Sequence, residues 1–508
     1  MKKLIALLLV LCTMLTVVGC SKKAGSANDA AKDTLIVAQG ADPTSLDPYG
    51  TTDSPAIRVA QCIFETLVTR DDEGNIAPKL AESWEIKDDC TYIFHLRKGV
   101  KFHNGEELKA SDVAFSFSKI AESAHASSIR ATIDFENSKP LDEYTFEMKL
   151  TEPFAPILNH LGHAVMAIVN EKAYTEAGDR VNEKPCGTGP YKFSAWYPSD
   201  RVELVANDDY WGEKAKIKNL TWRTIPEVAS RSIEAEAGTV DLAVDIQSSE
   251  YERLQSVDKI ATFKEERSSV NFICLNNTIA PFDNVKVRQA VSMAVDVDAI
   301  CSVVYQGTGA VARAPMSSSV WAYNDNLPAH EHNVEKAKQL LTEAGYPDGF
   351  TCTMTCDQNQ QRLDTAEMVQ MQLAEIGITM KIASMERGTF IDNVISGNLE
   401  MFGLGWTADT GDPDYALYAS FHSSMHGEGG NMSFYSNPEV DELLDRGRTA
   451  TDPEVRKEAY YKVQEIVWDE VPCIFLQCPE ELYAYNCNLK NFGTNADGSI
   501  KFAQLSWN

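Results

Sequence analysis

The chain has 508 residues, of which 44% are hydrophobic, a share and length that suit two or more globular domains. Its formal net charge of −28 at pH 7 excludes a binder of nucleic acid, whose phosphates would be repelled. The same charge disfavours direct contact with anionic lipid heads.

Lys2 and Lys3 precede an apolar run over residues 4–18, the pattern of a secretory signal. The run ends Val17-Val18-Gly19-Cys20, which resembles the bacterial lipoprotein cleavage box, with Cys20 as the lipidated first residue. Residues 21–33 form a Ser-, Ala-, Lys- and Gly-rich tether. No later apolar stretch of about 20 residues follows, so the expected state is a body anchored to a membrane by lipid and not spanning it.

Thr34 to Ala38 reads as a short strand, and residues 54–67 as a helix with Val59, Cys62, Ile63 and Leu67 at helical spacing. Trp84-Glu85-Ile86 and residues 91–96 alternate as strands. Asn104-Gly105 marks a turn, and Ser111 or Asp112 can cap the next helix. Val287, Ala290, Val291 and Ala294 share one helical face. Asn333 can cap a helix that ends at Gly345, and residues 363–376 form another, stopped at Gly377. Ile378, Met380 and Ile382 alternate as a strand. Pro438 and Pro453 each suit a first helical turn. This alternation of helix and strand predicts α/β lobes.

Residues 399–404 read as a short buried strand, followed by a loop that Gly411 and the pre-proline Asp412 enforce. Trp406, Asp409, Asp412 and Asp414 are thereby displayed past a strand end, where ligands bind in open α/β sheets. One reading is an aromatic-walled pocket with an acid for a cationic ligand; the other is a solvated turn. Trp406 could pack on a ligand or in the core.

Ten cysteines follow Cys20, from Cys62 to Cys487, without a legible disulfide framework. Cys352 and Cys356 would share one side of a strand, too far apart to bridge. Free buried cysteines acting as small hydrophobes is the preferred reading, since no paired CxxC zinc spacing exists. Enzyme signatures are equally absent. His330-Glu331-His332 lacks HExxH spacing, Gly187-Thr188-Gly189 is not a GxGxxG loop, and no GxSxG elbow occurs. His422 and His426 lie four apart, in a stretch too rich in Gly and Ser for a confident helix. No cofactor and no metal are expected.

Several runs together resemble the family 5 extracellular solute-binding proteins, the peptide and nickel receptors of ABC importers. They are Leu80-Ala81-Glu82-Ser83-Trp84, then Tyr92 through Glu106, Ala110-Ser111-Asp112-Val113, Gly187-Thr188-Gly189-Pro190-Tyr191 and Pro281 through Ala290. Thr34 and Leu46-Asp47-Pro48, residues 337–350 and the Trp406 segment complete the set, in order over nearly the whole chain. The resemblance implies a two-lobed α/β periplasmic-binding-protein fold, class II, of the large three-subdomain type, with a hinge. Lobe I would comprise residues 34–77, 185–268 and 480–508, with 78–184 as its subdomain; lobe II would be residues 269–479.

It further implies a non-enzymatic receptor, expected to be monomeric, that captures short peptides outside the cell and delivers them to ABC permease subunits. A nickel-chelate, haem or other solute receptor is the alternative on this fold, and a peptidase the alternative from another class. By the match Trp406-Thr407-Ala408-Asp409, Asp409 would take the ligand ammonium, with Trp406, Thr407 and Asp412 nearby. Arg362 would take the ligand carboxylate, the other reading being a surface arginine. Gly40 and Ala41 would lend backbone amides from lobe I.

Overall fold

The computed structural model describes residues 32–508, except 52, 72–73, 131, 428–429 and 496–497. The expected signal segment, the lipidation site Cys20 and nearly all of the tether lie outside the described residues.

Two large sheets divide the chain. The first has seven strands, in the spatial order 260–266, 480–486, 242–243, 34–39, 219–224, 201–206 and 191–197. Its central strand Thr34–Gln39 pairs in parallel with Asn219–Thr224 and Leu242–Ala243. The second sheet has six strands, in the order 310–311, 473–478, 269–275, 401–407, 351–356 and 379–384. An antiparallel four-stranded sheet over residues 81–150 packs beside the first. Its hairpin Ala81–Asp88 with Thr91–Leu96 falls where alternation placed strands, the pair 133–140 and 145–150 was not expected, and Gly105 at the Asn104-Gly105 turn takes φ +89°.

The second sheet is covered on both faces, which is why its strands are apolar runs. Ile273, Leu275, Ile474 and Leu476 enter one core, while Phe272, Cys274, Cys473 and Phe475 enter the other. All six residues of Cys473–Cys478 are buried. The chain passes between the large sheets at residues 267–268 and returns at Pro479. The strands that flank those crossings are neighbours within each sheet.

Three local expectations are corrected. The helix starting at Ser54 ends at Ile63, four residues early, because Gly189 N donates to the Ile63 carbonyl at 2.9 Å. Gly187 also lies against that carbonyl; a Cβ there would stand 2.1 Å from it. Asp112 sits inside the helix Ala110–Glu122, accepting from Lys109 N at 3.0 Å, so Lys109 holds the cap position. The strand of the Trp406 segment runs Met401–Thr407, because Ser269–Leu275 pairs along its whole length. By contrast Asn333 caps Val334–Glu343 as expected, and Pro438 and Pro453 occupy first turns.

Candidate functional site

A cleft of about 380 Å³ lies where the two sheets' lobes face each other, within the range of small-ligand pockets. Lobe II contributes Thr407 and Asp409, just past the end of Met401–Thr407. Lobe I contributes Arg58 from the helix Ser54–Ile63, Arg70 from the strand Val68–Arg70 and Glu481 from the strand 480–486; the crossings contribute Arg267, Ser268 and Pro479.

Asp409 is fixed by its neighbours. Ala408 N donates to Ser268 O at 2.6 Å, and Gly411 N donates to Ala408 O at 2.9 Å. Arg70 Nη2 donates to the Asp409 backbone carbonyl at 3.3 Å. The Asp409 side chain is open to water, yet protein flanks it from both lobes. That flanking protein thins the water around its carboxyl and pushes it above the usual carboxylate range, and the Arg70 guanidinium opposes the rise only in part. Among the described residues, no hydrogen bond or salt bridge is made to its carboxylate. A cationic guest would supply the missing partner.

The crossings hold an ionic cluster that local sequence pattern gave no sign of. Arg58 Nη1 and Nη2 donate to the Asp245 carboxylate at 2.9 and 3.1 Å, and Arg58 also pairs with Glu481. Arg267 Nη2 reaches Asp245 at 2.6 Å and Glu481 at 3.2 Å. Burial alone would raise the Asp245 carboxyl, but Arg58 and Arg267 outweigh it and hold it below the usual range. Arg58 is the one charged residue of the helix Ser54–Ile63, but nothing near it in sequence points to partners as distant as Asp245 and Glu481.

A second cavity of about 440 Å³ abuts the cleft inside lobe I, sharing Arg58, Gln61, Gly162 and Ala164 with it. Trp211, Trp222, Phe64 and Phe502 form its apolar walls. The buried Glu65 carboxylate braces it, accepting from Thr188 Oγ1, Tyr210 OH and Trp211 Nε1 at 2.7–2.8 Å and pairing with Lys79 at 3.0 Å.

The other predicted residues are scattered. Thr407 lines the cleft, with its hydroxyl 3.1 Å from that of Ser269. Trp406 stands behind it: Nε1 donates to Tyr415 O at 2.8 Å, and Gly430 closes against the ring. It shapes the Asp409 loop from within. Asp412 is a correction. It is 1% exposed, accepts from Arg456 Nη2 at 2.7 and 2.9 Å and from Asn159 at 3.1 Å, and so serves the packing of this loop. Asp414 is likewise held by Arg448 at 2.8 and 2.9 Å.

Arg362 is a second correction. Its Nη1 donates to Asp357 at 2.6 Å, shared with Arg387, and it lines a separate recess of about 50 Å³. Gly40 packs under the Arg231 guanidinium, and neither Gly40 nor Ala41 lines the cleft. His422 stacks on Tyr418, whereas His426 bonds Tyr435 O at 2.9 Å, so their partners differ. Among the described residues no cluster of His, Cys, Asp and Glu could hold a metal ion. Nor is any described helix long and apolar enough to cross a membrane.

Comparison with known proteins bears on this geometry. A family model described as bacterial extracellular solute-binding proteins, family 5, middle part, matches residues 75–427. The glutathione-binding protein GsiB of Pectobacterium atrosepticum is 30% identical over 485 residues, covering 93% of this chain and 94% of that one. The heme-binding protein A of Haemophilus influenzae is 31% identical over 481 residues, 88% of this chain and 87% of its own length. Among solved structures, the periplasmic binding protein DppA of Helicobacter pylori, in complex with the peptide STSA, superposes with a TM-score of 0.77. It is 32% identical, covering 94% of this chain and 98% of that one.

Proposed function

Because the chain belongs to the bacterial extracellular solute-binding proteins of family 5, we propose that it is the substrate-binding component of an ABC importer for short peptides. It captures them in the cleft between its lobes and hands them to the permease. A lipid on Cys20 would hold it at the outer face of the membrane, as a monomer. Lobe I would comprise 34–77, 185–268 and 480–508 with the subdomain 78–184, and lobe II 269–479, with the hinge at the two crossings.

The observation that carries the reading is Asp409: a carboxylate at the cleft between the lobes to which, among the described residues, no hydrogen bond or salt bridge is made, with the Arg70 guanidinium near it. A peptide zwitterion needs both charges paired when it is enclosed, since an unpaired buried charge is very costly. Asp409 takes the ammonium, Arg70 the carboxylate, and Thr407 a polar group of the ligand. Arg58 and Arg267 are tied to Asp245 and Glu481, so they set the field of the cleft and brace the crossings. The adjacent 440 Å³ cavity gives room to an apolar ligand side chain. Closely set opposite charges also suit an amino-acid head with ammonium and carboxylate on one carbon, as in a γ-glutamyl peptide. That head group is the one a glutathione-binding relative would meet. No bond of the ligand is broken in this role.

Calorimetric titration with a dipeptide panel and glutathione, each with and without amino-terminal acetylation, tests the reading. Binding of the free amines with loss on acetylation is expected; equal binding of both refutes the role of Asp409. Peptide turnover by the purified chain refutes the receptor reading. Haem is the second reading, favoured by the aromatic walls of the lobe I cavity, and a Soret titration separates it.

A further inference from the structure

Cys274 and Cys473 face each other across the two strands that lead out to the lobe crossings. They are direct register partners in the antiparallel pair Ser269–Leu275 and Cys473–Cys478. The neighbouring pair is bonded, Leu275 N donating to Pro472 O at 3.1 Å. The pair 274/473 therefore occupies the non-hydrogen-bonded position, where Cα atoms stand about 4.5 Å apart and side chains are closest. That separation lies within the range a disulfide spans. The two Sγ atoms are 3.7 Å apart. They share the same core face with Phe272 and Phe475.

Both cysteines are buried, and one of them borders a cavity. Cys473 lines a cavity of about 320 Å³ on the side of lobe II, between Trp468 and Met293. Cys274 is 1% exposed and has no such opening. Burial pushes the Cys274 thiol well above the usual range, and Cys473, bordering the cavity, is the one of the pair that a reagent meets first.

We infer that Cys274 and Cys473 are an oxidation site, closing a cross-strand disulfide that ties the two crossing strands of lobe II together. The oxidant is a small-molecule disulfide. The Cys473 thiolate attacks one of its sulfurs, forming a mixed disulfide and releasing one small thiol. The Cys274 thiolate then attacks the Cys473 sulfur and releases the second. Two protein S–H bonds are lost and one S–S bond forms. The two electrons and two protons leave with the two small thiols. The tie joins residues 199 apart in sequence, so it constrains a long loop of the unfolded chain.

The test is a peptide map of the full chain, reduced, treated with cystamine, alkylated in denaturant and digested. A linked pair of peptides carrying residues 274 and 473 is expected, with two of the ten described thiols lost. The oxidised form should also melt above the reduced form. Cys473→Ser should abolish the link, while Cys301→Ser, which removes a buried thiol outside the pair, should retain it. If Cys473→Ser fails to fold, the wild-type map decides alone. Recovery of both cysteines alkylated while the half-buried Cys487 is oxidised overturns the inference. So does a mixed disulfide that stays on Cys473, or a link of either cysteine to another partner. The result is independent of what the cleft binds.

Discussion

Replacing Asp409 by Asn is the sharpest test of the cleft. The carboxylate lines the cleft and, among the described residues, accepts no hydrogen bond and joins no salt bridge, so the ligand ammonium would be its first directly bonded partner. A charge-assisted hydrogen bond contributes about 1.5–3 kcal/mol net. The Coulomb energy of two unit charges 4 Å apart is about 4 kcal/mol at an effective dielectric of 20, before desolvation of the ammonium is subtracted. A net loss of about 2–3 kcal/mol is expected, or roughly 30- to 150-fold in Kd at 1.4 kcal/mol per decade. Calorimetry against a free dipeptide reads this directly. The acetylated peptide supplies the control, since its affinity should be nearly the same for both proteins. The pH profile gives a second readout. The free-state carboxyl is held above its usual range, and an ammonium alongside lowers it. Affinity is therefore full above the raised free-state value and is lost as pH falls through it, earlier than for an ordinary aspartate. Because the ionised form is disfavoured in the folded protein, the neutral amide should leave the unliganded melting temperature unchanged or raised. A Kd within twofold of wild type, or an equal loss for the acetylated peptide, would refute the assignment.

Three further outcomes follow from the placement of neighbouring residues. Asp412→Ala strands the Arg456 guanidinium in the interior and should cost about 3–5 kcal/mol in urea unfolding, with any loss of affinity secondary to it. Arg362→Ala should change peptide affinity less than twofold while lowering stability by roughly 1–3 kcal/mol, because it leaves the buried Asp357 with Arg387 alone. A tenfold loss of affinity with stability intact would instead restore Arg362 to the ligand. Ala164→Phe, at the boundary of the two cavities, should weaken peptides with bulky apolar side chains about tenfold and spare glycyl peptides; a uniform effect across the panel would show that the lobe I cavity does not receive ligand.

Local chemistry determined much of the fold. Asn333 before Val334–Glu343, the prolines that open the helices at 438 and 453, and the alternation of residues 91–96 act within a few residues of themselves, so they read correctly from sequence. The strand within Met401–Thr407 was legible as an apolar run, but its extent was set by a partner strand more than 100 residues away. The site divides in the same way. Asp409 and Asp412 are three residues apart and chemically alike, and only the family resemblance, not local pattern, tells them apart. Gly411, at φ +68°, turns the chain between them, leaving Asp409 in the cleft and sending Asp412 inward to Arg456, 44 positions on. Arg58 meets its partners 187 and 423 residues later, at Asp245 and Glu481. Charge is a property of the residue, but whether it faces a guest, a counter-ion or water depends on which distant strands the packing of two sheets brings to one place.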